Sequence, residues 1–204
     1  MEAHGSPGRI RVGLLGGTFD PPHLGHLILG DQSRVQLGLD SVLVLPAGRP
    51  PHKDAGAITP FPLRLEMARR AFRGEPGFEV DPMEGDREGA SYTVDTLKVL
   101  REVRKDASYW LLMGADSLEE LGLWKEPEEI LKLCRLGIYG RPGFDLGAAP
   151  RTWHDRIDAV SGPLLDVSST EIRRLCARGG SLRHLVPVPV RDLIGAEGLY
   201  RSPR

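Results

Sequence analysis

Short continuous apolar runs alternate along the chain with stretches whose apolar residues recur every three or four positions. Residues 10–16 (IRVGLLG) end at a paired glycine and predict a buried strand feeding a tight turn. The runs 41–45 (SVLVL), 78–80 (FEV), 109–113 (YWLLM), 136–139 (LGIY) and 164–167 (LLDV) predict five more. Because most are unbroken rather than alternating, these strands are expected to be covered on both faces. Between them, helical spacing over 24–37, 62–72, 94–105 and 126–134 predicts crossover helices. Strand and helix in alternation mean right-handed crossovers and an α/β fold: a doubly wound parallel sheet with helices on both faces. In such sheets ligands bind beyond the carboxyl ends of the strands, so the chemistry is expected in the loops that follow them. Residues 50–51 (PP) and 140–150 (GRPGFDLGAAP) are Gly- and Pro-rich loops.

Composition narrows the class. The 204 residues are 40% hydrophobic and 27% charged, as in an ordinary globular protein, and are expected to form one domain over 1–204 with a flexible tail at 1–9. Lys and Arg total 27 against 28 Asp and Glu, a formal charge of −1. No overall field would draw the protein to nucleic acid or to an anionic membrane, so any bound anion must be held locally. Neither a membrane span nor a secretory leader is predicted. The two cysteines, Cys134 and Cys176, lack paired spacing and suggest a reducing compartment, with the cytoplasm expected. The sequence leaves a homo-oligomer open.

Three loops carry candidate chemistry. After the first predicted strand come Gly16, Gly17, Thr18, Phe19, Asp20, Pro21, Pro22, His23, Leu24, Gly25 and His26. Glycines there let backbone amides approach a ligand, and a helix starting near His23 directs its free N–H groups the same way, a phosphate site in outline. His23 and His26 are three apart and share a side of the first turn, where two donors would stabilise developing phosphoryl charge. Half of a metal site completed by Cys134 or Cys176 is the alternative.

The second loop, at Ser168, Ser169 and Thr170, opens a helix through a capping box with Glu171 and ends at Gly179 and Gly180. It brings hydroxyls and the forked donor Arg173 to a helix start, suited to phosphate although capping alone also explains the pattern. On the acceptor side, Lys53 follows the second strand in P-P-H-K, where it is either solvated or a counter-charge. Thr93 stands near a helix start as a cap or as part of an anion site. Asp116 after Gly114 suits a ribose hydroxyl or an N-cap. Trp124 lies in a polar stretch that suits stacking on a ring, although core is a tryptophan's commoner place. Trp110, inside a strand, is expected in the core.

The unbroken string G-G-T-F-D-P-P-H-L-G-H resembles the T/H-x-G-H signature of the nucleotidyltransferase superfamily. With S-S-T-E-I-R from Ser168, P-P-H-K, S-Y-T-V-D-T-L from Ser91, and G-A-D followed by L-G-L-W, the chain resembles the bacterial nicotinate mononucleotide adenylyltransferases over most of its length. The resemblance implies a Rossmann-like fold and adenylyl transfer from ATP to nicotinate mononucleotide, giving deamido-NAD and pyrophosphate. It implies catalytic roles for His23, His26, Lys53 and Arg173. ATP contacts are implied for Gly16, Gly17, Thr18, Phe19, Gly25, Gly114, Asp116, Ser168, Ser169 and Thr170, and nicotinate contacts for Tyr92, Thr93 and Trp124. The lack of any carboxylate cluster suits Mg²⁺ carried by the ATP phosphates rather than held by protein ligands.

Arg141 is similar to a family position near adenine, and His52 stays without a role, as do His4, His154 and His184. Leu193 stands where the family commonly has tyrosine. An amide-specific enzyme, a phosphopantetheine-type adenylyltransferase and a nucleotide sensor without turnover remain as alternatives. The expectation on which these roles depend is that His26 and Arg173, distant in sequence, meet at one cleft.

Overall fold

The computed structural model describes residues 9–51, 58–140, 149–163 and 165–201. Among the described residues there are six strands, β1 (Ile10–Gly17), β2 (Ser41–Pro46), β3 (Phe78–Val80), β4 (Ala107–Gly114), β5 (Arg135–Gly140) and β6 (Ile157–Ser161), the first five at predicted runs. They make one sheet in the order β3-β2-β1-β4-β5-β6, with every neighbouring pair parallel. The chain winds outward from β1 to β3, then crosses back to β4 and winds the other way. This is the Rossmann-like arrangement expected, and it opens a crevice between the carboxyl ends of β1 and β4.

Among the described residues seven α-helices accompany the sheet: α1 (Leu24–Gln36), α2 (Phe61–Ala71), α3 (Thr93–Val103), α4 (Ala115–Glu120), α5 (Pro127–Leu133), α6 (Ser169–Ala177) and α7 (Val188–Ala196). On one face Val12, Leu14 and Leu43 pack with Leu97 and Leu100 of α3 and Ile130 of α5. On the other, Leu15, Val44 and Leu112 pack with Met67 of α2, Ile172 of α6 and Val190 of α7. Both faces are covered, which is why the strand sequences are unbroken apolar runs. Trp110 is core as expected, 4% exposed, with its indole N–H donating to Asp158 at 2.8 Å.

One predicted strand is corrected. The sixth strand is Ile157–Ser161, and residues 165–167 are irregular chain leading into α6. The segment I-D-A-V-S places half-buried Asp158 and exposed Ala159 between its buried Ile157 and Val160 because β6 is the sheet edge, and Pro163, without an N–H, cannot extend the ladder. Helices α4 and α7, six and nine residues long, have too few turns to show a clear period in sequence. Leu193 of α7 is 5% exposed and fills core space, so its departure from tyrosine is a packing matter.

A buried cation fixes the strand-end loops. Arg64 of α2 is 1% exposed, and its guanidinium donates to the carbonyls of Thr18 (2.8 Å), Ala47 (2.7 Å), Gly48 (3.0 Å) and Thr59 (2.8 Å). It thereby joins the segments following β1 and β2 to the start of α2. Its burial opposes the charge, and the nearby Asp20 carboxylate offsets that cost. Replacing Arg64 by Met leaves four carbonyls without a donor. The expected loss is about 3 kcal/mol of unfolding free energy, read from urea denaturation. A loss under about 0.5 kcal/mol, the range of an ordinary surface change, would show that these bonds do not hold the loops.

Candidate active site

The crevice at the switch point is a cleft of about 710 Å³, within the range of small-molecule sites. Its floor is the end of β1 (Gly16, Gly17, Thr18) with Met113 and Gly114 of β4. One wall is the start of α1 (His23, Gly25, His26), and the other carries Tyr92, Thr93, Trp124 and Lys125. Among the described residues expected to bind, Gly16, Gly17, Thr18, His23, Gly25, His26, Tyr92, Thr93, Gly114 and Trp124 all line it.

His23 is the N-cap of α1, with extended backbone at φ −141° and ψ 170°. Its amide donates to His26 Nδ1 at 3.1 Å, and the His26 amide donates to the His23 carbonyl at 2.9 Å. The two imidazoles lie 3.7 Å apart between ring centroids. Accepting that backbone N–H assigns the neutral His26 proton to Nε2, which leaves Nε2–H as a donor. Burial lowers the His23 imidazole to a pKa of about 4. His26 is also held well below its ordinary value, by burial and then by His23, against the hydrogen bond from the His23 backbone. Both rings are therefore neutral near pH 7. His23 Nδ1 is buried and has no hydrogen-bond partner, a site with unused polar capacity. Gly25 is tightly packed: a Cβ would sit 3.0 Å from His23 Nδ1 and 3.2 Å from Val167 Cγ1, so a larger residue would have to push the His23 ring or Val167 aside. Gly16 differs, since a Cβ there meets nothing within 4 Å and would project into open space.

The second helix start docks on the first. Ser168 caps α6 by accepting the Glu171 amide at 3.2 Å, while the Glu171 carboxylate pairs with Arg174 instead of completing the predicted box. Helix α6 ends as predicted, Gly179 taking φ +72° and the Gly180 amide reaching the Leu175 carbonyl at 2.9 Å. Ser169 Oγ donates to the Pro21 carbonyl at 2.8 Å, and Arg173 Nη1 donates to the Asp20 carbonyl at 2.8 Å. Arg173 Nη2 also reaches Thr170 Oγ1 at 3.3 Å. Ser168, Ser169, Thr170 and Arg173 do not themselves line the cleft, but Val167 just before them does. Through the Asp20 carbonyl Arg173 is tied to the loop that leads into α1, yet of the two side chains expected to meet at one cleft only His26 lines it.

Three expectations shift. The Phe19 ring is buried, 1% exposed, and packs against His26 with ring centroids 4.9 Å apart instead of lining the cleft. Asp116 is exposed in the first turn of α4, whose N-cap is Gly114, and the cleft there is lined by Ser117 and Glu120. Thr93 is the first residue of α3, and Tyr92 is its N-cap. Lys53, His52 and Arg141 lie outside the described residues, as does most of the expected tail at 1–9. A Cys-completed metal site does not form: among the described residues no group of three or more His, Cys, Asp and Glu is placed for one.

Two residues were missed. Lys125 Nζ lies 4.8 Å from the Tyr92 ring centroid and 3.0 Å from Asp95 Oδ2 at the cleft wall; its adjacency to Trp124 was the available signal. Glu84 lines the cleft while 8% exposed, accepts from Thr96 Oγ1 at 2.7 Å, and has its carboxyl raised by burial. Nothing in P-M-E-G-D marks it as buried.

Among the described residues no helix is long and apolar enough to cross a membrane. Residues 14–175 match the family model described as cytidylyltransferase-like. A protein of Exiguobacterium sibiricum named "Probable nicotinate-nucleotide adenylyltransferase" is 45% identical over 95% of this chain and 100% of its own. A Thermomicrobium roseum protein of the same name is 42% identical over 94% and 92%. The nicotinic acid mononucleotide adenylyltransferase of Plasmodium falciparum, solved with NaAD, shares the fold at a TM-score of 0.75 and 19% identity, over 93% of this chain and 97% of that one. With near-complete relatives at this identity and a family match over most of its length, the chain belongs to the cytidylyltransferase-like family and, within it, to the nicotinate-nucleotide adenylyltransferases.

Proposed function

We propose that the chain transfers the adenylyl group of ATP to the 5′-phosphate of nicotinate mononucleotide, releasing pyrophosphate and forming deamido-NAD. The observation that carries this reading is the docking of two helix starts, α1 and α6, on one loop beside a cleft of dinucleotide size. Each start offers amides and a favourable dipole to phosphate oxygens.

The acceptor phosphate is itself a nucleophilic anion, so direct in-line attack on the α-phosphorus needs no covalent intermediate. Catalysis then rests on positioning and on stabilising charge. His26 donates through Nε2–H to an α-phosphate oxygen, and His23 joins it at the α- and β-phosphates. Arg173 keeps N–H groups beyond those spent on Asp20 and Thr170 and takes the distal phosphates, helped by the Ser168 and Thr170 hydroxyls, while the Ser169 hydroxyl stays on the Pro21 carbonyl. Lys53, by resemblance, offsets charge from the loop after β2. A Mg²⁺ carried by the triphosphate would add charge neutralisation there. At the other end Trp124 stacks on the pyridine ring, while Tyr92 and Thr93 at the start of α3 and the Lys125 ammonium face its carboxylate.

Three outcomes are expected. His26→Ala folds and loses roughly 10²–10³ in kcat, measured by pyrophosphate release, because one preorganised donor to a transition-state charge is removed; parental turnover would take His26 out of the mechanism. The parent prefers nicotinate over nicotinamide mononucleotide by at least about tenfold in kcat/KM, and Lys125→Met narrows that ratio by about fivefold, a modest factor because the lysine is partly exposed. An unchanged ratio would assign acid selection to the α3 start alone. In a histidine NMR titration the His23 ring takes up its proton near pH 4. The unfolded chain protonates near its ordinary 6.5, so this histidine makes stability fall as pH drops from 6.5 to about 4, by about 3 kcal/mol in all. Titration of His23 near 6.5 would contradict the buried neutral pair.

A further inference from the structure

Asp20 belongs to the histidine-loop motif yet points away from the cleft. It is 2% exposed, and a carboxylate so buried is costly unless its oxygens are satisfied. Both are. Oδ1 accepts the Tyr200 hydroxyl at 2.6 Å, and Oδ2 accepts the Thr59 amide at 3.2 Å. The Asp20 backbone carbonyl accepts from Arg173 at 2.8 Å. One residue thus gathers the C-terminal end of the fold, the entry to α2 and the start of α6. Tyr200 is delivered by a turn after α7 in which the Leu199 amide donates to Ile194 at 3.0 Å, and its hydroxyl also lies 3.7 Å from Met67 Sδ. On the other side of Asp20, Phe19 holds φ +51° and lays its ring 4.9 Å from His26.

Rotation at Asp20 would therefore displace the support of His26 and the acceptor of Arg173 together. We propose that Asp20 is a positioning residue for phosphate transfer and that Tyr200, from the far end of the chain, holds it through their hydrogen bond. Neither touches substrate. Tyr200 acts on Asp20, and Asp20 sets the distance between the imidazole and the guanidinium, where a shift of about 1 Å is enough to cost up to about a hundredfold in rate. The inference rests on the adenylyl-transfer reading for its kinetic form, and on geometry alone for its spectroscopic form.

The test uses Tyr200→Phe, which removes one oxygen, Asp20→Asn, and the double variant in the full chain. Pyrophosphate release is followed at 25 °C alongside thermal melting. Tyr200→Phe is expected to lower kcat by about tenfold, with the KM for ATP and for the acceptor within about threefold, as misalignment in the transition state requires. The two single losses are expected not to multiply in the double variant, because both act through one contact. Should Asp20→Asn fail to fold, Tyr200→Phe alone decides. A Tyr200→Phe protein that melts lower but keeps the parental kcat, or multiplicative losses, overturns the proposal by reducing the bond to packing. Independently of turnover, ¹⁵N shifts of the His26 ring are expected to report Nε2–H in the parent and a changed tautomer balance in Tyr200→Phe; identical spectra overturn the proposal. A parent that turns over a different acceptor refutes the nicotinate reading, and the same kcat comparison is then made on that acceptor.

Discussion

The hydrogen bond from the Arg173 guanidinium to the Asp20 carbonyl spans 153 residues and closes the site. A doubly wound sheet places every strand-end loop on one edge but does not choose which of them touch. That choice is made by Arg173 and, beside it, by Ser169 on the Pro21 carbonyl. These bonds dock the start of α6 on the loop that leads into α1. From the opposite side Arg64 grips the carbonyls of Thr18, Ala47 and Gly48. Two arginines thus tie the strand-end loops together through main-chain oxygens.

Electrostatics within this frame is local. The chain as a whole carries a formal charge of −1, and the two histidines are kept neutral by their burial and mutual approach. A protonated pair would bind phosphate more strongly in the ground state as well as in the transition state, which gains nothing in turnover. A neutral Nε2–H in fixed orientation stabilises the charge that develops without rearranging. In the proposed reading full positive charge comes from Arg173 and Lys53 at the phosphates and from Lys125 at the pyridine carboxylate.

The sheet was legible because burial on both faces writes itself as unbroken apolar runs, which gave four of the six strands, while the edge strand β3 was read from the short apolar pair Phe78 and Val80 around an exposed Glu79. The sixth was misplaced because an edge strand needs only Ile157 and Val160 inside, whereas L-L-D-V looked more apolar and is not a strand. Capping chemistry read α6 from Ser168 to Gly179, although Glu171 turned to Arg174. In the site, glycines and histidines were visible because few side chains suit a phosphate turn. Phe19 and Asp116 were assigned ligand contacts by their place in a motif, and the direction of a side chain is not written there. Glu84, Lys125 and the Tyr200–Asp20 bond depend on which segments pack together, which no local pattern encodes.

The central claim is that the starts of α1 and α6 hold one triphosphate. A crystal structure of the protein with Mg²⁺ and a non-hydrolysable ATP analogue measures this directly. The account predicts a single triphosphate within hydrogen-bond distance of His26 Nε2 at its α-phosphate and of the Arg173 guanidinium at its distal phosphates. A triphosphate that meets only one of these groups, or lies outside the crevice between β1 and β4, would contradict it.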